Sequence, residues 1–453
     1  MLVLQKQATC KICTTTCPGI QTVKNLYQFY LFNHYHLNMK KFILSGIALL
    51  ALAASSYAQN STTLTQSGNG NSVGTIQTGS LNTGTITQVG DNNKVGQSDN
   101  GLGMSGLQQY GTSNTGTITQ NGNGNNGYIY QRGNQNTTTV TQAGNNNDGQ
   151  AVDYSASNLN VSTITQTGND NKSGVFHTTA SSNNTFTTTQ TGDRNQVLAI
   201  STYILPPQYG NFNTTTITQT GDDNIIRMGQ IGGSMNTFLA NQDGNGNTAD
   251  VIQQGNNNNI GNNDNGSGPV GLQQIGDNNV AIMTQNGNAN NAFIQEVGSN
   301  NNSTIIQVGD NNDGQVQDYF SSGNTASITQ TGNNNKSGVF RDGGSENTFT
   351  SVQTGNNNRI LANGGYILPP QYGVGNMIDI TQTGNSNLTT LRQLGNGNDL
   401  MVSQADGNQT AILVQSGNTN MLSVTQSGLG NMATVSQLGS GNSASVVQTG
   451  VAP

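Results

Sequence analysis

From Gln59 onward the chain alternates: inward-type small, apolar or amide residues fall at every second position, with mostly polar residues between them. The pattern is cleanest near the C-terminus. Asn420-Met-Leu-Ser-Val-Thr-Gln426-Ser-Gly428 is followed by Asn431 to Gln437 and Gly439, then by Asn442-Ser-Ala-Ser-Val-Val-Gln448-Thr-Gly450. The unit is Asn-x-small-x-apolar-x-Gln-x-Gly-x-x, with a period of 11 residues. Residues two apart share one face of a strand. Asn442, Ala444, Val446 and Gln448 therefore point one way, and Ser443, Ser445 and Val447 the other. Val424 and Val435 hold the place of Val446 in the preceding units. The glutamine recurs at Gln66, Gln77 and Gln88, at Gln109, Gln120, Gln131 and Gln142, and at Gln219. It returns at Gln371, Gln382 and Gln393 and at Gln426, Gln437 and Gln448. The asparagine recurs at Asn71, Asn82, Asn93, Asn420, Asn431 and Asn442. An apolar period of two, carried by poor helix formers, excludes helix.

The stretch after each glutamine is a turn, and Gly68, Gly79, Gly90, Gly428, Gly439 and Gly450 supply the positive φ it needs. Two strand–turn units close one coil of about 22–23 residues, and coils stack as a β-solenoid with strands ~4.8 Å apart. The expected fold is all-β: a solenoid of about 16–17 two-strand coils, cross-β-like, in which Gln stands over Gln and Asn over Asn. A buried amide is costly unless every donor and acceptor is met. A ladder of identical amides meets them coil after coil.

A longer repeat overlies the short one. Asn147 to Tyr154 returns as Asn312 to Tyr319, Asn171 to Phe176 as Asn335 to Phe340, and Tyr203-Ile-Leu-Pro-Pro-Gln-Tyr-Gly210 as Tyr366 to Gly373. With the Tyr-Ile-Leu-Pro-Pro stretch taken as an insertion in one turn, the offset equals about fourteen units. An even offset places both copies on the same side of the ribbon. The Pro pair is not expected inside a central strand.

Composition narrows the functions. Only 8% of residues are charged and 31% are hydrophobic, with 60 Gly. A polar but nearly uncharged Asn/Gln-rich chain tends to β-assembly rather than to solvated coil. Residues 1–38 differ in composition and hold all three cysteines, Cys10, Cys13 and Cys17. Met39-Lys40-Lys41, the apolar run Phe42 to Ala54 and the small-residue site ending at Ala58 read as a secretory signal peptide over 39–58, with cleavage after Ala58. The expectation is a start at Met39, residues 1–38 as upstream sequence without a fold, and a mature repeat region over 59–453. Five of the 14 Lys+Arg precede Gln59, so nine face all 21 Asp+Glu, a balance of −12. That argues against nucleic acid as a partner. The apolar run is too short for a membrane span.

At this point the unit resembles the curlin repeat of curli subunits, the secreted amyloid of bacterial biofilms, over nearly all of 60–450. The resemblance implies a β-solenoid, export through a curli-type outer-membrane channel, accessory or nucleator subunits, and growth into extracellular fibres for biofilm matrix and adhesion. The chain departs from the family in having far more coils and several degenerate units, which leaves major subunit, nucleator and fibre-associated adhesin open. No cap is evident in the sequence, so the first unit (Thr63 to Asn71) and the last (Asn442 to Gly450) are the expected assembly surfaces, joining head to tail.

Other signals are weaker. Cys10-x-x-Cys13-x-x-x-Cys17 with His34 and His36 has metal-like spacing but precedes the signal peptide. His177 sits at a glutamine position, and its counterpart is Arg341; with one His after Gln59, no catalytic triad can be built. No enzyme activity, cofactor or metal is expected. Asp-bearing turns after Gly90, Gly276 and Gly309 have mostly neutral neighbours, a poor calcium set. Outward threonines such as Thr214, Thr216 and Thr218 raise an ice- or polysaccharide-binding solenoid, but Met432, Val447 and Phe293 at other outward positions argue against a regular array.

Overall fold

The structure is a computed structural model, and it describes residues 59–96, 106–154, 157–177, 181–200, 205–230, 232–261, 271–363 and 368–450. Every regular element among the described residues is a strand. The signal-peptide site at Ala58 and the three cysteines lie outside them.

Consecutive units fall alternately into two parallel sheets. In sheet 1, Ser61–Ser67 pairs with Thr83–Val89, which pairs with Thr115–Asn121, and Gln66, Gln88 and Gln120 stand in register. In sheet 2, Thr75–Ser80 pairs with Leu107–Thr112, and Gln77 stands opposite Gln109. The sequence of strands gives sixteen rungs in each sheet, hence sixteen coils, as the period requires. Inward apolar residues fill the thin space between the sheets: Ile86, Ile118, Val140, Ile164 and Val424 are fully buried, while Val435 and Val446 in the last coil are only partly so. Small and large residues face each other across the gap. A Cβ on Gly116 would lie 2.5 Å from Leu107 Cδ1, so the small position of one sheet is shaped by the apolar one of the other.

The turns need two left-handed residues, of which the sequence pattern revealed one. Gly90 has φ 105°, and Asn92, two residues on, has φ 57°. Asn, which tolerates this region best after Gly, holds the second position at Asn146, Asn257, Asn278 and Asn311. A Cβ on Gly90 would sit 2.1 Å from the Gly122 carbonyl oxygen of the next coil. Glycine is thus fixed there by stacking as well as by φ.

The insertions lie inside strands, not in turns, which corrects the expectation above. Gln196–Ala199 and Pro207–Gln208 are two pieces of one strand: both pair with Ile225–Gln230, in a common register interrupted by the residues between them. Arg359–Ala362 and Gln371–Val374 repeat the device, both pairing with Leu388–Leu394. Asn259–Ile260 and Leu272–Ile275 show a further interruption, both pairing with Asn291–Val297. Pro207 does sit in a strand within the sheet. It has no N–H to give. The carbonyl of Met228 that it would serve is served by the Ile200 N–H at 3.2 Å, across the mouth of the insertion. In the second copy the Asn363 N–H serves Leu391 at 2.9 Å.

The insertion across 262–270 also changes the parity. Stepping from rung to rung, Asp153 and Asp318 are thirteen units apart, not fourteen. Asp148–Asp153 lies in sheet 2, and Asp313–Tyr319 in sheet 1. The two copies of the long repeat are on opposite faces. The second insertion is about as long as one unit, so counting residues alone takes it for one.

Candidate functional site

The ladder glutamines stand where the spacing places them. Gln66 Nε2 donates to Gln88 Oε1 at 2.7 Å, Gln88 to Gln120 at 2.8 Å and Gln120 to Gln142 at 2.9 Å. In sheet 2, Gln77 donates to Gln109 at 2.7 Å and Gln109 to Gln131 at 2.9 Å. Gln219, Gln382, Gln393 and Gln426 continue the columns, donating to Gln242, Gln404, Gln415 and Gln448. The second hydrogen goes to the backbone, as from Gln120 to the Lys94 carbonyl at 3.0 Å. The asparagines hold the turns. Asn82 Oδ1 accepts the Asn114 N–H at 3.0 Å while its Nδ2 donates to the Gly111 carbonyl at 2.9 Å. Asn71 serves Asn93 and Asn420 serves Asn442 in the same way, and Asn431 Nδ2 bonds the Ser427 carbonyl. Gly68, Gly79, Gly90, Gly428 and Gly439 all have positive φ, whereas Gly450, after the last described strand, does not, which corrects the expectation at that position.

Two columns carry charge. In sheet 2 the rungs run Gln131, Asp153, His177, Gln208, Gln230. His177 Nδ1 lies 2.7 Å from Asp153 Oδ1, and its Nε2 lies 2.7 Å from Gln208 Oε1. In sheet 1 they run Gln274, Glu296, Asp318, Arg341. Arg341 Nη1 donates to both Asp318 oxygens at 3.1 and 3.2 Å, Nε donates to Gln371 at 2.9 Å and Nη2 to the Thr325 carbonyl at 2.9 Å. All five ionisable side chains are buried. Burial pushes the Glu296 carboxyl up to about 8. Burial also raises Asp318, with the Arg341 charge pulling the other way. The acidic partners escaped the sequence reading. They stand one rung-spacing from positions already recognised, and following the column by 22–24 residues from Gln131 or Arg341 reaches them.

The end coils expose what the interior pairs. Among the described residues, Ser61–Ser67 pairs only with Thr83–Val89, and Ser443–Thr449 only with Met421–Ser427. The glutamine columns are polar: their interior amides donate toward the C-terminal end. Gln437 and Gln448 accept from Gln415 and Gln426 but donate only to the backbone carbonyls of Met421 and Met432, leaving one N–H each among the described residues. At the other end Gln66 Oε1 faces outward, and Gln77 Oε1 takes the Thr62 hydroxyl.

The outer faces differ from each other. Sorting residues by sheet reveals order that the linear chain hides. In sheet 1 Thr63, Thr85, Thr117, Thr139, Thr163, Thr187 and Thr216 form one column in register. Thr65, Thr87, Thr119, Thr141, Thr165, Thr189 and Thr218 form a second beside it. The expectation of irregular outward positions is therefore wrong for these seven coils. Alternate units belong to opposite sheets, so the chain interleaves two faces, and Met432, Val447 and Phe293 lie in later coils. Phe293, outward in register, is buried. On sheet 2 an aromatic stack crosses the coils: Tyr110 to Tyr130 at 5.7 Å, Tyr130 to Tyr154 at 6.2 Å and Tyr154 to Phe176 at 6.1 Å between ring centres. Leu205 of the insertion packs with this cluster.

The Asp-bearing turns use their carboxylates internally. Asp91 Oδ1 accepts the Asn69 N–H at 2.7 Å, and Asp277 and Asp310 do the same for Asn245 and Asn288. Among the described residues no group of three His, Cys, Asp or Glu is placed to hold a metal, and no helix is long and apolar enough to cross a membrane.

Comparison with protein families finds the Curlin associated repeat at residues 59–90, 111–144, 373–405 and 420–450, two stretches in the first coils and two in the last. No curated protein matches the chain.

Proposed function

We infer, from the premise that this is a curlin-repeat protein, that it is a structural subunit of an extracellular curli-like amyloid fibre. The observation that carries the reading is the complementarity of the two end coils. Stacking Met432–Leu438 of one copy beneath Ser61–Ser67 of the next continues sheet 1, and Ser443–Thr449 beneath Thr75–Ser80 continues sheet 2. The spare Gln437 and Gln448 donors then face the Gln66 and Gln77 oxygens. With sixteen rungs per sheet, neither sheet changes identity across the joint. Identical joints that never close build a filament, with a subunit repeat of roughly 80 Å. The reading includes secretion, a curli-type channel and accessory or nucleator subunits as partners, and a role in matrix and adhesion. It assigns no catalysis and no cofactor.

The test uses Gln59 to Pro453, purified unfolded and diluted into buffer, followed by thioflavin T and electron microscopy. Unbranched fibres after a lag, shortened by seeds, are expected. A folded chain that stays monomeric for days at micromolar concentration overturns the reading.

The threonine columns favour a second reading, a face that binds a flat periodic surface such as ice or a crystalline polysaccharide. It predicts that the folded chain inhibits ice recrystallisation or sediments with the polysaccharide, and that Thr141→Lys with Thr163→Lys abolishes this. Unchanged behaviour of the double variant counts against it.

A further inference from the structure

The stack on sheet 2 is made of tyrosines in neighbouring coils. Tyr130 lies between Tyr110 and Tyr154, with ring centres 5.7 and 6.2 Å away, and it is within 27° of parallel to Tyr154. The outer two rings are half-buried and reachable, whereas Tyr130 is 4% exposed. Phe176 closes the stack on one side with a ring that carries no hydroxyl. The backbone fixes this arrangement: Tyr110, Tyr130 and Phe176 stand on separate strands of one parallel sheet, and Tyr154 directly follows the strand Asp148–Asp153, its N–H bonded to the His177 carbonyl at 2.8 Å.

We propose that Tyr110, Tyr130 and Tyr154 form an oxidative cross-linking site, at which a peroxidase-type one-electron oxidant joins adjacent coils through dityrosine. Each of two neighbouring tyrosines gives up one electron and its phenolic proton. A carbon–carbon bond then forms between ring positions ortho to the oxygens, and the displaced ring hydrogens shift to those oxygens, restoring both phenols. Hydrogen peroxide takes up the two electrons and two protons and becomes two waters. The exposed rings meet the oxidant, and contact along the stack passes the radical to Tyr130. The product staples one coil to the next, restricting the unfolded chain as any covalent loop closure does.

The second copy of the long repeat is a natural control. Its stack runs Tyr319, Phe340, Tyr372, with centres 5.7 and 6.0 Å apart, so a phenylalanine separates the two phenols. The coupling is internal to one chain and does not depend on fibre growth.

The test treats the full chain, folded and dilute, with a haem peroxidase and hydrogen peroxide. Dityrosine fluorescence is expected in chains of monomer size that have lost two hydrogen atoms. Trypsin should yield either a linked pair of peptides, 95–132 with 133–172, or an internal loop within 95–132. Tyr130→Phe, which keeps the ring, should reduce intrachain dityrosine to background, and so should Tyr110→Phe with Tyr154→Phe. Phe340→Tyr should add a second internal link, to Tyr319 or Tyr372. Links only between chains, or internal links that persist in Tyr130→Phe, overturn the proposal. If dityrosine forms as expected while no fibres grow, the fibre reading fails and this one stands.

Discussion

The two copies of the long repeat make the same departure from an amide ladder with different residues. In the first, Asp153 and His177 replace two glutamines between Gln131 and Gln208. In the second, Asp318 and Arg341 do so, and Glu296 stands where the first copy has Gln131. What both keep is an acid bonded to a basic side chain that also bonds the next glutamine, Asp153–His177–Gln208 and Asp318–Arg341–Gln371. The step before the acid differs from a ladder, since Gln131 Nε2 turns to Thr115 and Thr138 and Glu296 Oε1 has no partner among the described residues. The rung's requirement is therefore a basic partner for its buried acid, because an isolated buried ion is not tolerated. The first copy meets it with one acid, whereas the second must carry two stacked acids on one guanidinium.

The largest break in this comparison is Arg341→Met. It leaves Asp318 buried beside Glu296 with no cation, and a loss of about 3–5 kcal/mol is expected in urea unfolding. His177→Gln should cost only about 1–2 kcal/mol, since the new amide can still donate to Asp153. Equal losses would show that the copies are energetically alike.

The next effect is in pH. Glu296 keeps its proton up to about 8 in the folded chain, while the unfolded carboxyl releases it near the ordinary value of 4.5. The native state binds the extra proton, so the contribution of Glu296 to stability is full below pH 4.5 and is lost as pH rises toward 8. Glu296→Gln gives the second copy the rung of the first and should flatten this slope, read as the urea midpoint between about pH 5 and pH 9. A slope unchanged by the substitution would place its origin elsewhere. The smallest effect is at the surface. The Arg194–Asp223 pair has side chains 52% and 54% exposed, and Arg194→Ala should leave the midpoint unmoved.

Much of this was readable from spacing alone: the strand period, the inward residues, the amide columns and the first glycine of each turn. Three features were not. Parity was lost because the insertion across 262–270 consumes about one unit's length of chain without adding a rung. The threonine columns were hidden because alternate units go to opposite faces. The partners of His177 and Arg341 were missed because they are neighbours only across a coil, at separations of 24 and 23 residues. Each failure lies in the step from a one-dimensional list to a two-sided stack.

The odd offset of thirteen units bears on how such a chain can lengthen over generations. If each sheet had its own kind of rung, only duplications of whole coils would survive, since any other would turn a segment inside its neighbour's environment. Here a segment with its loop, its aromatic stack and its charged rungs works in either sheet. The heritable module is the half-coil, so a recombination event of any unit length yields a stackable product.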